Sequence, residues 1–196
     1  MFLFFEKIGI NYPGTKDNEH NLESEYLKNQ IDKIGIFFLH ELIASLPHDT
    51  EIIKNVHKLL FSNSYKKAGE FRNEDASINL SHFSIPIRIN DELCNYIKTF
   101  YKHEHLKTST KKLLAKQCAV QFNLFNMIHP FYYGNGIINR LFINNYLLIH
   151  NYHSDWDLIE QKEYDESCNL AFHGDLNNLE KMVNKLIVPL SQRLVS

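Results

Sequence analysis

The chain has 196 residues, 44% hydrophobic and 22% charged, which suits one domain with a real core. Twenty-one Lys and Arg against 23 Asp and Glu leave a formal net charge of −2, which argues against nucleic acid or an anionic membrane as partner. Cys94, Cys118 and Cys168 are too widely spaced for a zinc-type pair or a disulfide framework and fit a reducing, cytoplasmic compartment.

Apolar residues recur at intervals of three and four, so the chain reads as all-α. The opening Met1–Phe5 run is cut off by Glu6 and Lys7 before a signal-peptide core can form, and residues 1–18 read as an extension. A first helix is expected from Glu19 to Leu46, with Leu22, Tyr26, Ile31, Phe38, Leu42 and Leu46 inward. Pro47 and Asp49 close it and cap a second helix that carries Ile52, Ile53, Val56, Leu59 and Leu60. From Ala68 to Pro86 the helical period fails, and Phe71–Asn73 and Ser77–Asn79 around Glu74-Asp75 read as a short hairpin or flap.

Asp91 starts a third helix ending near His103, and Thr108 or Ser109 caps a fourth that runs to Ile128. Pro130, Gly134 and Gly136 force a loop, after which a fifth helix reaches Ile149. A further helix stops at Gly174 and a last one runs from Leu176 into Val188.

The stretch His129-Pro130-Phe131-Tyr132-Tyr133-Gly134-Asn135-Gly136-Ile137-Ile138-Asn139-Arg140 is the candidate site. Small residues at a helix start let main-chain N–H groups close around an anion, with the helix dipole in support. Arg140 lies one turn in and its side chain leans back toward the N-terminus, within reach of the same anion. A histidine beside a phosphate cradle suits proton removal from an attacking hydroxyl. Each feature alone is common as a cap or turn; together they point to phosphoryl or nucleotidyl transfer.

This stretch resembles the Fic signature, His-Pro-Phe-x-(Asp/Glu)-Gly-Asn-Gly-Arg-x-x-Arg. Tyr12–Thr15 with Leu22–Glu25, His57–Phe61 with Ala68–Arg72, and Asp155-Trp156 with Ala171–Leu176 are similar to further family elements in the same order. The resemblance implies a Fic-type helical bundle over 19–196, with a β-hairpin flap at about 69–86 and the core motif at 129–140. It implies His129 as general base and Phe131 as a plug in the core. The amides of Gly134, Asn135 and Gly136 would hold the α-phosphate, the Asn135 side chain would orient the phosphates, and Arg140 would meet the terminal ones. Ser77, Ile78 and Asn79 would align a target segment by strand addition. The implied reaction moves AMP from ATP to a Ser, Thr or Tyr hydroxyl of a target protein; UMP or phosphocholine transfer, or nucleotide binding without chemistry, are the alternatives.

Three positions depart from the pattern. Tyr133 stands at the acidic position, so Mg²⁺, which takes hard and preferably anionic oxygens, loses a ligand. Ile137 replaces the first arginine, and Lys67 replaces a tryptophan before Ala68-Gly69. Thr15–Glu19 comes near the family's inhibitory helix motif, but His20 breaks it, so inhibition is expected from a separate partner. His103 with His105, and His150 with His153, lack zinc spacing and read as solvated histidines at helix ends.

Overall fold

The computed structural model describes residues 49–63, 65–78, 81–102 and 110–190. The expected first helix, the extension, the Thr15–Glu19 segment, Asn79, His103, His105, Thr108 and Ser109 lie outside them. The described elements are α1 (Thr50–Phe61), β1 (Ser77–Ile78), β2 (Ser81–His82), α2 (Ile89–Lys102), α3 (Lys111–Ile128), α4 (Asn135–Ile149), β3 (Tyr152–Ser154), α5 (Gln161–Phe172), α6 (Asn177–Leu186) and β4 (Ile187–Pro189). The fold is all-α, as the helical periodicity requires, with two small two-stranded sheets, β1 with β2 and β3 with β4.

Helix α3 is the hub. Leu114, Ala115, Cys118, Ala119, Phe122 and Phe125 are almost completely buried, and it packs on α2, α4, α5 and α6. Its two alanines let neighbouring helices approach while the aromatic rings fill the space between them. Helix α4 lies beside it and is buried on nearly all sides, through Ile138, Phe142, Ile143 and Leu147 and also through Asn139, Arg140, Asn144 and Asn145. Buried amides need partners. Asn139 Nδ2 donates to Phe122 O and Asn126 Oδ1, each at 2.9 Å, and Asn144 Oδ1 accepts from Ser154 N and Oγ, each at 2.9 Å. These bonds fix the height at which α4 starts, which is where the candidate loop sits.

The local signals place most helix ends. Asp49 Oδ1 accepts from Glu51 N at 3.0 Å and caps α1. Helix α5 closes in a Schellman turn at Gly174 (φ +99°), with Gly174 N bonded to Ala171 O and Asp175 N to Leu170 O, both 3.0 Å. Four expectations are corrected. The cap of α3 is Thr110, whose Oγ1 accepts from Leu113 N at 3.3 Å, not Thr108 or Ser109. Leu59 is 39% exposed, one position off the stripe formed by Ile52, Ile53, Val56 and Leu60. His150 is buried against Tyr146 rather than solvated. The last helix stops at Leu186, and Ile187–Pro189 pairs antiparallel with Tyr152–Ser154. Two β-branched residues followed by Pro189, which disfavours helix at Val188, explain that change.

The flap hairpin is present, with Ser77 opposite His82 and Ile78 opposite Ser81. Its outgoing end is tied to α3 through Ser84 N bonded to Met127 O at 3.0 Å.

Candidate functional site

Helix α3 ends because His129 takes a left-handed conformation (φ 47°, ψ 62°) with its N–H still bonded to Phe125 O at 3.0 Å. A non-glycine residue there is disfavoured by about 1 kcal/mol, and the surroundings must hold it. Arg72 does so. Its Nε donates to His129 O at 2.7 Å, and one terminal nitrogen donates to Ile128 O at 3.1 Å and to Ser84 O. The other terminal nitrogen donates to Glu74 O at 2.8 Å, and Arg72 N donates to Pro130 O at 2.9 Å. The guanidinium is 3% exposed, and its planar fork satisfies carbonyls from both ends of the flap and from the end of α3.

Past Pro130, Phe131 is fully buried and stacks on the His57 ring, with centroids 3.8 Å apart. His57 Nδ1 accepts from Gly69 N at 2.8 Å. A main-chain amide can only donate, so the ring proton sits on Nε2, which donates to Tyr133 O at 3.0 Å. One neutral imidazole thus joins the start of the flap to the motif loop. Burial lowers its pKa to about 4, partly offset by the Tyr133 carbonyl.

Gly134 opens α4 with φ +76°, and a Cβ there would lie 2.5 Å from the Phe61 ring. Only glycine fits both constraints. Asn135 and Gly136 are the first residues of α4, so their N–H groups have no partner within the helix. A Cβ on Gly136 would meet nothing within 4 Å, so the space above that turn is open. The helix dipole makes it favourable for an anion.

His129 is buried, its ring stacked on Phe83 at 4.0 Å with 9° between planes. Burial, then the Arg72 charge, lowers its pKa to about 3, so the imidazole is neutral at physiological pH and able to accept a proton. The loop therefore brings together His129, Gly134 and Gly136, with Ser77 and Ile78 on the hairpin that carries Phe83.

Two side chains named from the sequence do something else. The Asn135 amide is spent within the loop, accepting from Phe131 N at 2.9 Å and donating to Phe131 O at 2.7 Å, so it shapes the turn rather than reaching outward. Arg140 is folded inward, its guanidinium carbon 5.0 Å from the Trp156 ring centre and 4.9 Å from that of Tyr164. The departures are packed as apolar residues: Tyr133 meets Phe61 edge-on at 5.4 Å, and Ile137 belongs to the core. Residues 129–137 contain no Asp or Glu, and no cluster of His, Cys, Asp or Glu among the described residues could hold a metal ion. The donors at hand do not suit Mg²⁺.

Sequence reasoning gave no role to Arg72, His57 or Phe83. The one available signal was an arginine in a short apolar turn, Gly69-Glu70-Phe71-Arg72, followed by no helix for it to serve.

Two outcomes are expected. Arg72→Met strands the buried carbonyls of Ile128 and His129 and unties both ends of the flap, and lowers stability by roughly 3 kcal/mol, read from urea unfolding. For pH, both histidines have folded pKa values below the unfolded one of about 6.5. The unfolded chain therefore binds protons first as pH falls, and stability that is full above about 6.5 is lost progressively toward a pH of about 4 for His57 and about 3 for His129. The melting temperature should drop across that window, and His57→Gln, which cannot charge, should make the drop shallower.

Comparison with known proteins agrees with this geometry. The Fic/DOC family model matches residues 47–147, slightly over half of the chain. The protein adenylyltransferase VbhT of Bartonella schoenbuchensis is 25% identical over 91% of this chain, which spans only 37% of that relative. The probable protein adenylyltransferase y4lH of Sinorhizobium fredii is 26% identical, with 90% of this chain and 94% of that one covered. Among solved structures, the Bartonella tribocorum effector BepC, with bound AMPPNP, superposes with a TM-score of 0.70 at 21% identity, covering 91% of this chain and 95% of that one. The N-terminal Fic domain of a VirB-translocated effector from Bartonella quintana, with bound ADP, gives a TM-score of 0.75 at 17% identity, covering 97% and 92%. With the motif loop, flap and helical core all in family order, the chain belongs to the Fic/DOC family.

Proposed function

We propose that the protein transfers a nucleotide-derived phosphate group, AMP from ATP, to a hydroxyl side chain of a target protein, at a rate reduced by its altered motif. The observation that carries this reading is the neutral His129 at the end of α3, on the same short loop as the open turn at Gly136. Such a histidine takes the proton of the target Ser, Thr or Tyr hydroxyl while its oxygen attacks the α-phosphorus. The bond to the bridging oxygen breaks, pyrophosphate leaves, and the target keeps an AMP ester. The N–H groups at the start of α4 stabilise the charge that builds on the α-phosphate oxygens. The hairpin edge at Ser77–Ile78 aligns the target strand. ATP as donor and three free cysteines fit a cytoplasmic setting.

The cost of the altered motif lies in charge. An acid replaced by Tyr133 and an arginine replaced by Ile137 remove several kcal/mol of transition-state stabilisation, about a thousandfold in rate. The base itself is also weak, since a pKa of about 3 limits its proton affinity. A second reading, nucleotide binding without transfer, is favoured by the Tyr133 ring, which packs on Phe61 where a metal-binding carboxylate is expected.

Incubation with labelled ATP and native lysate separates the two. Transfer predicts weak labelling of protein, its loss in His129→Ala, and a rise of at least ~10-fold when Tyr133→Asp and Ile137→Arg are combined. Mass spectrometry would place the adduct on Ser, Thr or Tyr and identify UMP or phosphocholine if those donors were used instead. A repaired protein that is folded and binds ATP yet modifies nothing would establish the binding reading.

A further inference from the structure

We propose that Trp156 and Tyr164 form an aromatic clamp that holds Arg140 withdrawn, and that a nucleotide binding at the start of α4 draws the guanidinium out of it. This rests on the reading of that turn as a phosphate site.

The geometry separates a fixed part from a movable one. Trp156 sits in a short 3₁₀ turn, Trp156–Leu158, which Asp155 caps by accepting from Asp157 N at 3.2 Å. Asp155 N also bonds to Leu186 O at 2.8 Å, so the turn is pinned to the end of α6. Tyr164 lies in the first turns of α5. The two rings meet each other at 6.4 Å and both meet Phe122 of the α3 hub, at 5.6 and 6.2 Å. These contacts do not involve Arg140, so the clamp keeps its shape whether or not it is filled.

Arg140 is the part that can move. Side chains on a helix lean toward its N-terminus, so a long one at this position has the open turn within its range. It instead lies in the corner made by the two nearly perpendicular rings, 5.0 and 4.9 Å from their centres, and hydrogen-bonds to Tyr164. Both the Tyr164 hydroxyl and the Cys168 thiol are neutral, their pKa values raised by burial, the thiol's to about 12. What these three side chains offer the cation is π-faces and dipoles. A terminal phosphate offers formal negative charge and a fork of oxygens that matches the guanidinium. Burial also lowers the pKa of Arg140, which shows that desolvation works against the charge in the clamp. A ligand moves such an equilibrium by the difference in its affinity for the two arrangements, so the clamp must weaken nucleotide binding by its own hold on the arginine.

Trp156 is the chain's one tryptophan, so indole emission reports the surroundings of this one residue. ATP titrated into the full chain, followed in parallel by calorimetry and by Trp156 emission, tests the proposal. The expected result is an emission change that tracks the heat and disappears in Arg140→Ala. Tyr164→Phe should tighten ATP binding by about three- to tenfold, and the double variant with Arg140→Ala should bind no tighter than Arg140→Ala alone. Heat of binding without an emission change would overturn the clamp and leave the proposed function standing. An emission change that survives in Arg140→Ala would also overturn it, and neither heat nor emission change at millimolar ATP would overturn both readings. The emission arm uses the unaltered protein, so it decides the matter even if Tyr164→Phe folds poorly.

Discussion

The site depends first on one buried cation. Arg72 is the only described side chain that bonds to both ends of the flap and to the residue that ends α3. Its donors reach the buried carbonyls of Ile128 and His129 and the half-buried ones of Glu74 and Ser84. A neutral side chain could not offer as many donors in one plane, and lysine would offer them as a point charge without the fork. The same contact favours the left-handed turn at His129 and helps keep its ring neutral. One residue outside the motif thus ties the flap to the end of α3 and adds to burial in keeping the candidate base neutral.

His57 supplies the second tie, and both ties favour shape over charge. It holds Gly69 and Tyr133 with a neutral ring while Phe131 stacks on its face. Around them Tyr133 and Ile137 pack with neighbouring apolar groups. Arg140 is turned toward aromatic rings. The backbone path of the loop is fixed by Gly134 against Phe61 and by the Asn135 clip to Phe131, while its one charged side chain, Arg140, lies inward. A helix start of this kind binds anions through main-chain dipoles, which survive any side-chain replacement.

How far the sequence reached differs by level. Helix existence was legible because α1, α3 and α4 carry long apolar periods and because Asp49 and Gly174 are local signals that act within a few residues. The hairpin was legible from a break in that period. The end of α6 was not, since Ile187 and Val188 continue an apolar run and only pairing with Tyr152–Ser154 makes them a strand. Within the site, backbone roles could be anticipated from glycine placement. The directions of Asn135 and Arg140 could not, because Phe131 and the pair Trp156 and Tyr164 decide them, and the two rings come from elements that only tertiary packing brings alongside α4. Arg72 and Phe83 escaped notice for the same reason.

The proposed chemistry requires the turn at the start of α4 to be a phosphate cradle facing His129. A crystal structure of the protein with a non-hydrolysable ATP analogue tests it most directly. The account predicts phosphate oxygens within ~3 Å of the main-chain nitrogens at Asn135 and Gly136, with the His129 ring on the side from which a hydroxyl would attack the α-phosphorus. An analogue bound elsewhere, or a saturated crystal with that turn empty, would contradict it.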